Sequence, residues 1–275
     1  MRQEPAVFDA HCHILPGLDD GAHTFETAIE MAGAAVAGGT RGIVCTPHHL
    51  NGVYKNPGDL VRHALADLRR RLSDAEIPLD LFPGAEIHLV PETPSRVLDG
   101  SALTYNDRGK AALVELPKNA VPRGAEVILG QLLRHGITPV IAHPERNLVL
   151  ARRPQRLAEW IGWGCKVQLT AQSCSGDFGE RLQGLSRRWL ESGWVHLIAS
   201  DAHRPTGRSP ETLSAARTRV AAWLGEDAAT LLTLDNPRRL LDGEDLLALA
   251  PCVTAETTPT RNDWLRFLPW QRRAG

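Results

Sequence analysis

The chain has 275 residues, enough for one large α/β domain or two small ones, and 31 basic against 32 acidic side chains leave a formal net charge of −1. That balance gives no electrostatic basis for broad nucleic-acid or anionic-membrane binding, so a charged ligand must be attracted locally. The opening MRQEPAVFDAHCHIL lacks a signal-peptide core, no apolar run approaches the ~18 residues of a membrane helix, and the five cysteines form no C-x-x-C pair; a cytoplasmic protein with reduced thiols and no membrane insertion is expected.

Val7, Phe8 and Ala10 read as the end of a buried strand that runs into Asp9-Ala10-His11-Cys12-His13. Histidines two apart leave the same side of an extended backbone, a geometry suited to a shared metal ion, while Cys12 points the other way as a packed thiol. The turn from Gly17 to Gly21 offers Asp19 and Asp20, either of them a ligand or a turn residue. From Thr24 the period is helical, with Phe25, Ile29, Ala32 and Val36 on one face and Gly38-Gly39 as the stop; His23 and, further on, His63 are expected at the surface. A strand at 41–45 delivers His48, with His49 as its competitor. The next helix carries Val61, Ala64, Leu65, Leu68 and Leu72, with Arg69, Arg70 and Arg71 on its solvated side.

Residues 79–82 lead into Gly84-Ala85-Glu86, with His88 on the same face as Glu86, and a strand at 111–116 carries Glu115. A helix over 125–135 stops at Gly136, which places His135 where a cation favours the helix dipole. A strand at 137–142 delivers His143 and then Arg146. A helix at 155–161, a strand at 167–170 and a helix near 182–190 follow without an evident ligand, and 195–199 delivers Asp201, His203 and Arg208. His196 begins that strand and lies about 16 Å from Asp201 at ~3.3 Å per residue, towards the opposite end. Ser209 as N-cap and Pro210 at N1 predict a helix with Leu213, Ala216, Val220 and Trp223 on one face, and a further helix closes near Leu240. A Thr/Pro linker then leads to Trp264, Leu265, Phe267, Leu268 and Trp270 among arginines, so residues 1–250 are expected as one domain and 251–275 as a tail that either docks on a partner or a neighbouring subunit or is a disordered or self-docked end.

Seven strands alternate with helices, and candidate ligands fall repeatedly at strand C-termini. A parallel (β/α) barrel gathers such ends on one face, which an open doubly wound sheet does less readily, so the barrel is predicted. A thiol phosphatase is excluded by spacing, since Cys and Arg must be separated by five residues and even Cys174 and Arg181 miss by one.

Read in order, DAHCHILPGLDDG, TPHH, GAEI, VEL, AHPER and SDAHRPTGR resemble the polymerase and histidinol phosphatase (PHP) family, and ILPGLDDG with TPHHLNGVYKN resembles its bacterial capsule and exopolysaccharide tyrosine-phosphatase branch over about residues 7–240. The resemblance implies a distorted seven-stranded barrel, which agrees with the strand count, and three divalent ions, manganese first, with iron, cobalt or zinc as alternatives. It implies His11, His13, Glu86 and Asp201 on one ion, Glu86, Glu115 and His143 on a second, and Asp20, His48 and His203 on a third. Four carboxylates against about six positive charges leave such a site net positive for a phosphate dianion. Arg146 and Arg208 match family positions that clamp phosphate oxygens. His203 is a candidate proton donor, and Tyr54 and His49 are candidates for the substrate rim.

The implied activity is hydrolysis of phosphotyrosine by metal-bound hydroxide, the bound water's pKa falling from 15.7 to ~7 to 9. The implied partner is an autophosphorylated bacterial tyrosine kinase controlling polysaccharide export. Two other readings stand beside it: a histidinol-phosphate or other small phosphomonoester hydrolase, and a non-catalytic PHP-like binding module.

Overall fold

The computed structural model describes residues 6–252, so the tail with its tryptophans lies outside the described residues. Nine strand segments follow seven paths. β1 is Val7–Cys12. β2, Thr40–Cys45, resumes after Thr46-Pro47 as β3, His48–His49, and β4, Asp80–Pro83, resumes after Gly84-Ala85 as β5, Glu86–His88. β6 is Ala111–Glu115, β7 Thr138–Ala142, β8 Lys166–Thr170 and β9 Leu197–Ala199.

All pairings are parallel, in the orders β1-β2-β4 and β3-β5-β6-β7-β8-β9. The last path also meets the first. Asp201 N–H donates to the His11 carbonyl at 2.9 Å, His13 N–H donates to that of Ala202 at 2.9 Å, and Cys12 bridges Ala202 in parallel. Seven parallel paths therefore close into the expected distorted barrel. The distortion has local causes: Pro47 has no N–H for the ladder, and a Cβ on Gly84 would come 2.7 Å from Val44 Cγ1.

Strand alternation divides the core. Val44, Leu113, Val140, Ala142, Leu197 and Ala199 join Tyr105, Leu240 and Leu241 in a smaller cluster. Their neighbours Ile43, Cys45, Val114, Ile141, Val167 and Ile198 pack with the helices in the larger one.

Several helices differ from expectation. Helix Phe25–Ala37 is capped by Thr24, whose hydroxyl accepts from Thr27 N–H, but it buries Ala28, Met31, Ala32 and Ala35; Phe25, Ile29 and Val36 only flank that face. The inward face is three alanines and a methionine, with the bulkier Phe25, Ile29 and Val36 packed at its edges. Helix Gly58–Asp74 buries Val61, Leu65, Leu68 and Leu72 as expected. Its basic run is tethered rather than merely solvated, with Arg69 donating to the Leu81 carbonyl and Arg71 lying 3.9 Å over the Phe25 ring.

Ser209 is not an N-cap. Residues 209–211 form a turn closed by Thr212 N–H to the Ser209 carbonyl at 3.2 Å, and the helix is Thr212–Leu224. The expected single helix near Leu240 is three consecutive segments, Glu226–Thr230, a π-helical turn Leu231–Asp235, and Asn236–Asp242. Among the described residues no helix is long and apolar enough to cross a membrane.

Candidate metal centre

The site is assembled at the C-terminal strand ends. β1 supplies His11 and His13 through an irregular stretch, since its register against β2 shifts between Asp9 and Cys12. Gly21 lets the following turn fold back onto it. Ala22 N–H donates to the His13 carbonyl at 3.0 Å, and a Cβ on Gly21 would lie 2.0 Å from that oxygen. Two ligand candidates take left-handed backbone immediately after their strands: His143 at φ 32° beyond β7 and Asp201 at φ 52° beyond β9. Non-glycine residues are held in this region only where the surroundings over-determine them.

The tautomers of the first pair follow from their outer partners. His11 Nδ1 lies 3.1 Å from Gln168 Oε1, whose amide nitrogen already donates to the Leu169 carbonyl, so Nδ1 carries the proton. His13 Nδ1 donates to Asp19 Oδ2 at 2.7 Å. Both Nε2 atoms then face each other across 3.1 Å. Opposed lone pairs repel, so a cation belongs between them. Glu86 Oε2 and Asp201 Oδ1 lie 3.4 to 3.5 Å from each of these nitrogens.

Glu86 is the hub. It is 1% exposed, its Oε1 accepts from His143 Nε2 at 2.8 Å, and its Oε2 is 2.9 Å from His48 Nδ1 without hydrogen-bond geometry, so that both atoms are buried without a hydrogen-bond partner. Asp20 Oδ1, at the mouth, meets His48 Nε2 at 3.5 Å and His203 Nε2 at 3.4 Å; His203 Nδ1 is fixed by the Asp201 carbonyl at 2.9 Å.

Four groups result whose donor atoms lie within 4.8 Å of one another: His13, Asp20, His48 and His203; His11, Glu86 and His143; His11, His13 and Asp201; His48, Glu86 and Glu115. The implied trio Glu86, Glu115 and His143 is not assembled as such. Glu86 Oε1 meets His143, its Oε2 lies near His11, His13 and His48, and Glu115 joins through His48, with Oε2 3.6 Å from Nδ1. His88 stands beside Glu115, with Nδ1 3.5 Å from Oε2.

Electrostatics favour a cation. Burial works against the charges of Glu86 and Asp201, but the surrounding histidines, and Arg208 beside Asp201, hold both carboxyls well below the usual range. Burial likewise opposes charge on His13, yet Asp19, Asp201 and Glu86 raise it well above the ordinary imidazole value. A field that favours protons at these nitrogens favours a divalent ion in their place. Mixed imidazole and carboxylate donors, with buried Glu86 Oε2 and His48 Nδ1 lacking partners, fit first-row divalent metals.

Arg146 Nη1 and Arg208 Nη2 both bond Asp201 Oδ2, the latter at 2.7 Å, which brings two guanidinium groups to the same edge of the cluster. Tyr54 borders the cluster at His48, its ring stacked on that imidazole at 6.1 Å with 6° between planes. The Asx turn at Asn51, whose Oδ1 accepts from Tyr54 N–H at 2.8 Å, sets that position. The structure does not bring His49 to the cluster. Alternation turns its ring away from His48, where it is buried with Nδ1 on the Asn56 carbonyl at 3.1 Å, and burial lowers its pKa.

Sequence reasoning missed the supporting residues. Asp9 accepts from Ser200 N–H at 2.9 Å and His11 N–H at 3.3 Å, joining β1 to the end of β9, and burial raises its pKa to about 6. Gln168 makes β8, read as lacking ligands, the orienter of His11. Glu145 of the AHPER motif is buried, with Oε1 accepting from Thr170 N–H at 3.0 Å and Ser173 Oγ at 2.8 Å. A polar residue at a core-facing strand position, such as Gln168, was the one available signal.

The fold and site together define a parallel α/β-barrel protein with a His/carboxylate metal-type centre at its C-terminal strand ends. The chain belongs to the CpsB/CapC family of capsular polysaccharide synthesis, whose family model matches residues 7–242. It is 40% identical over 245 residues to the tyrosine-protein phosphatase YwqE of Bacillus subtilis, covering 89% of this chain and 95% of that one. It is 30% identical to the tyrosine-protein phosphatase CpsB of Streptococcus pneumoniae, covering 86% and 98%. A solved structure from work on YwqE and CpsB, described as unique metal-dependent tyrosine phosphatases, superposes with a TM-score of 0.84 at 39% identity over 89% of this chain and 98% of that one. The lactonase Lmo2620 of Listeria monocytogenes, at 12% identity and a TM-score of 0.57 over 87% and 95%, shares the fold alone.

Proposed function

We propose that this protein is a metal-dependent protein-tyrosine phosphatase that acts in the cytoplasm on a bacterial tyrosine kinase controlling capsule or exopolysaccharide synthesis. The observation that carries the reading is the opposed Nε2 pair of His11 and His13 against Glu86 and Asp201, with two arginines on the same aspartate. His11, His13, Asp20, His48, Glu86, Glu115, His143, Asp201 and His203 would hold three divalent ions, manganese first. Ions held there would activate water near neutral pH and offset phosphate charge.

The chain's own residues supply the rest. Arg146 and Arg208, side chains 29% and 33% exposed, reach the mouth and suit two-pronged contacts to non-bridging phosphate oxygens. The phenolate leaving group has a pKa of about 10 and needs little acid assistance; His203, its Nδ1 fixed on the Asp201 carbonyl, would give its Nε2 beside Asp20 to an ion rather than to a proton. Burial lowers the His203 pKa, and the charge of His13 adds to this, so Nε2 keeps its lone pair for a metal. Tyr54 offers an aromatic face to the substrate ring.

The test combines metal analysis of protein purified without added metal with a substrate panel. Chelation should abolish turnover and Mn²⁺, Co²⁺ or Fe²⁺ restore it, with kcat/KM for an autophosphorylated kinase tail above that for histidinol phosphate or phosphoserine. Full activity after exhaustive demetallation would refute the metal role, and a preference for histidinol phosphate would move the protein to the small-phosphomonoester reading.

A further inference from the structure

Beyond Arg146 the site opens into a feature that the chemistry above leaves unused. A cleft of about 470 Å³ is lined by Arg146, by the helix Leu148–Arg152 and by the helix Glu180–Glu191. Its floor is apolar. The Phe178 ring lies 5.6 Å from the Arg146 guanidinium, and Leu185 is buried beside it. Its rim is cationic: Lys118, Arg181 and Arg188 are exposed, and among the described residues none of the three forms an ion pair. Arg181 and Arg188 are two helical turns apart with Leu185 between them, so they share one face. The lining holds one carboxylate, Glu145, which is buried with Oε1 already accepting from Thr170 and Ser173.

Clustered cations repel one another, and an anion that neutralises them binds favourably. The chain's own end is a poor occupant, because residues 253–275 carry Arg261, Arg266, Arg272 and Arg273 against Glu256 and Asp263. An extended substrate segment advances ~3.3 Å per residue, so a side chain a few places from a phosphotyrosine clamped by Arg146 reaches this cleft. We propose that the cleft is a substrate subsite for an acidic residue flanking the phosphotyrosine, with Arg181 and Arg188 as its specificity-determining residues; this rests on the phosphatase reading above.

The experiment uses the full chain loaded with Mn²⁺. It compares phosphotyrosine peptides carrying Glu at each of the near flanking positions with their Gln counterparts, and with free phosphotyrosine, in the wild type and in R181E/R188E. Both arginines are exposed and glutamate is as good a helix former, so the double variant keeps its fold. The wild type should prefer at least one Glu peptide over its Gln twin by roughly fivefold or more, mainly through KM. The variant should lose or invert that preference and keep its kcat/KM on free phosphotyrosine. Anisotropy of a fluorescent peptide with a non-hydrolysable phosphonate should give the same order without turnover. Equal values for every Glu and Gln pair in the wild type, or an unchanged preference in the variant, overturns the subsite and leaves the phosphatase reading standing. An equal loss on free phosphotyrosine assigns the arginines to the reaction centre and also overturns it. No turnover of free phosphotyrosine or any peptide by the wild type overturns both.

Discussion

Asp19→Asn separates the outer support of the cluster from its ligands. Asp19 Oδ2 accepts from His13 Nδ1–H at 2.7 Å and His48 N–H at 3.0 Å, and Oδ1 accepts from Gly21 N–H at 2.9 Å. Asparagine has one acceptor oxygen. Its less costly orientation keeps that oxygen on the two histidines and turns the NH₂ against Gly21 N–H, so that Gly21 N–H loses its acceptor and the new amide gains none there, at a cost of at least roughly 1 to 3 kcal/mol. The His13 bond also changes from charge-assisted to neutral, roughly 1 kcal/mol more. For a domain of this size the sum of about 2 to 4 kcal/mol lowers the melting temperature by about 4 to 16 °C. Loss of the carboxylate that orients His13 should also weaken metal binding by roughly 10- to 100-fold. Thermal melts with and without metal, and chelator competition followed by elemental analysis, measure the two effects separately. Wild-type melting and wild-type metal affinity in Asp19→Asn would refute the support role.

Four further substitutions test other parts of the site and fold. Glu86→Ala removes the carboxylate shared by the His143 and His48 sides and should abolish metal retention, whereas Arg208→Ala should keep the metal content and lower kcat by roughly 100-fold, as loss of one preorganised charge donor does; wild-type stoichiometry and rate in both would sink the two assignments. Gly21→Ala, whose Cβ would sit 2.0 Å from the His13 carbonyl oxygen, should lose metal and activity together, and full metal content by elemental analysis would contradict this. His196, buried at the far end of β9 with a pKa lowered to about 3 by burial, takes its proton in the unfolded chain near 6.5 but not in the fold, so stability should fall by about 1.4 kcal/mol per pH unit below 6.5. Melts at pH 7.5 and 5.5 should show a smaller acid loss in His196→Asn, and parallel profiles in the two proteins would exclude the contribution.

The periodic spacing of apolar residues was enough to predict seven strand paths alternating with helices, because an extended chain alternates faces and a helix repeats every 3.6 residues whatever surrounds it. The same local rule put His11 and His13 on one side and Cys12 on the other, and the C-terminal position of each ligand candidate followed from the barrel itself. Where two candidates stood side by side the sequence left them open, as with Asp19 and Asp20 or His48 and His49. Tertiary structure decided these cases: Asp20 reaches His48 and His203 at the mouth, Asp19 turns inward to brace His13, and His49 packs against the Asn56 carbonyl.

Only the closed ring brings Asp9 to Ser200 and Gln168 to His11, partners 191 and 157 residues apart in sequence. No local period encodes such pairs, since each is set by which strands become neighbours. The buried face of helix Phe25–Ala37, with Ala28, Met31, Ala32 and Ala35 inward, was likewise set by what packs around it. The sequence by itself determined which residue types end each strand, because that depends on backbone geometry alone. Which of them share a hydrogen bond, a charge or a metal-sized gap depended on ring closure, because those interactions act over a few ångströms between residues that only the folded barrel makes adjacent.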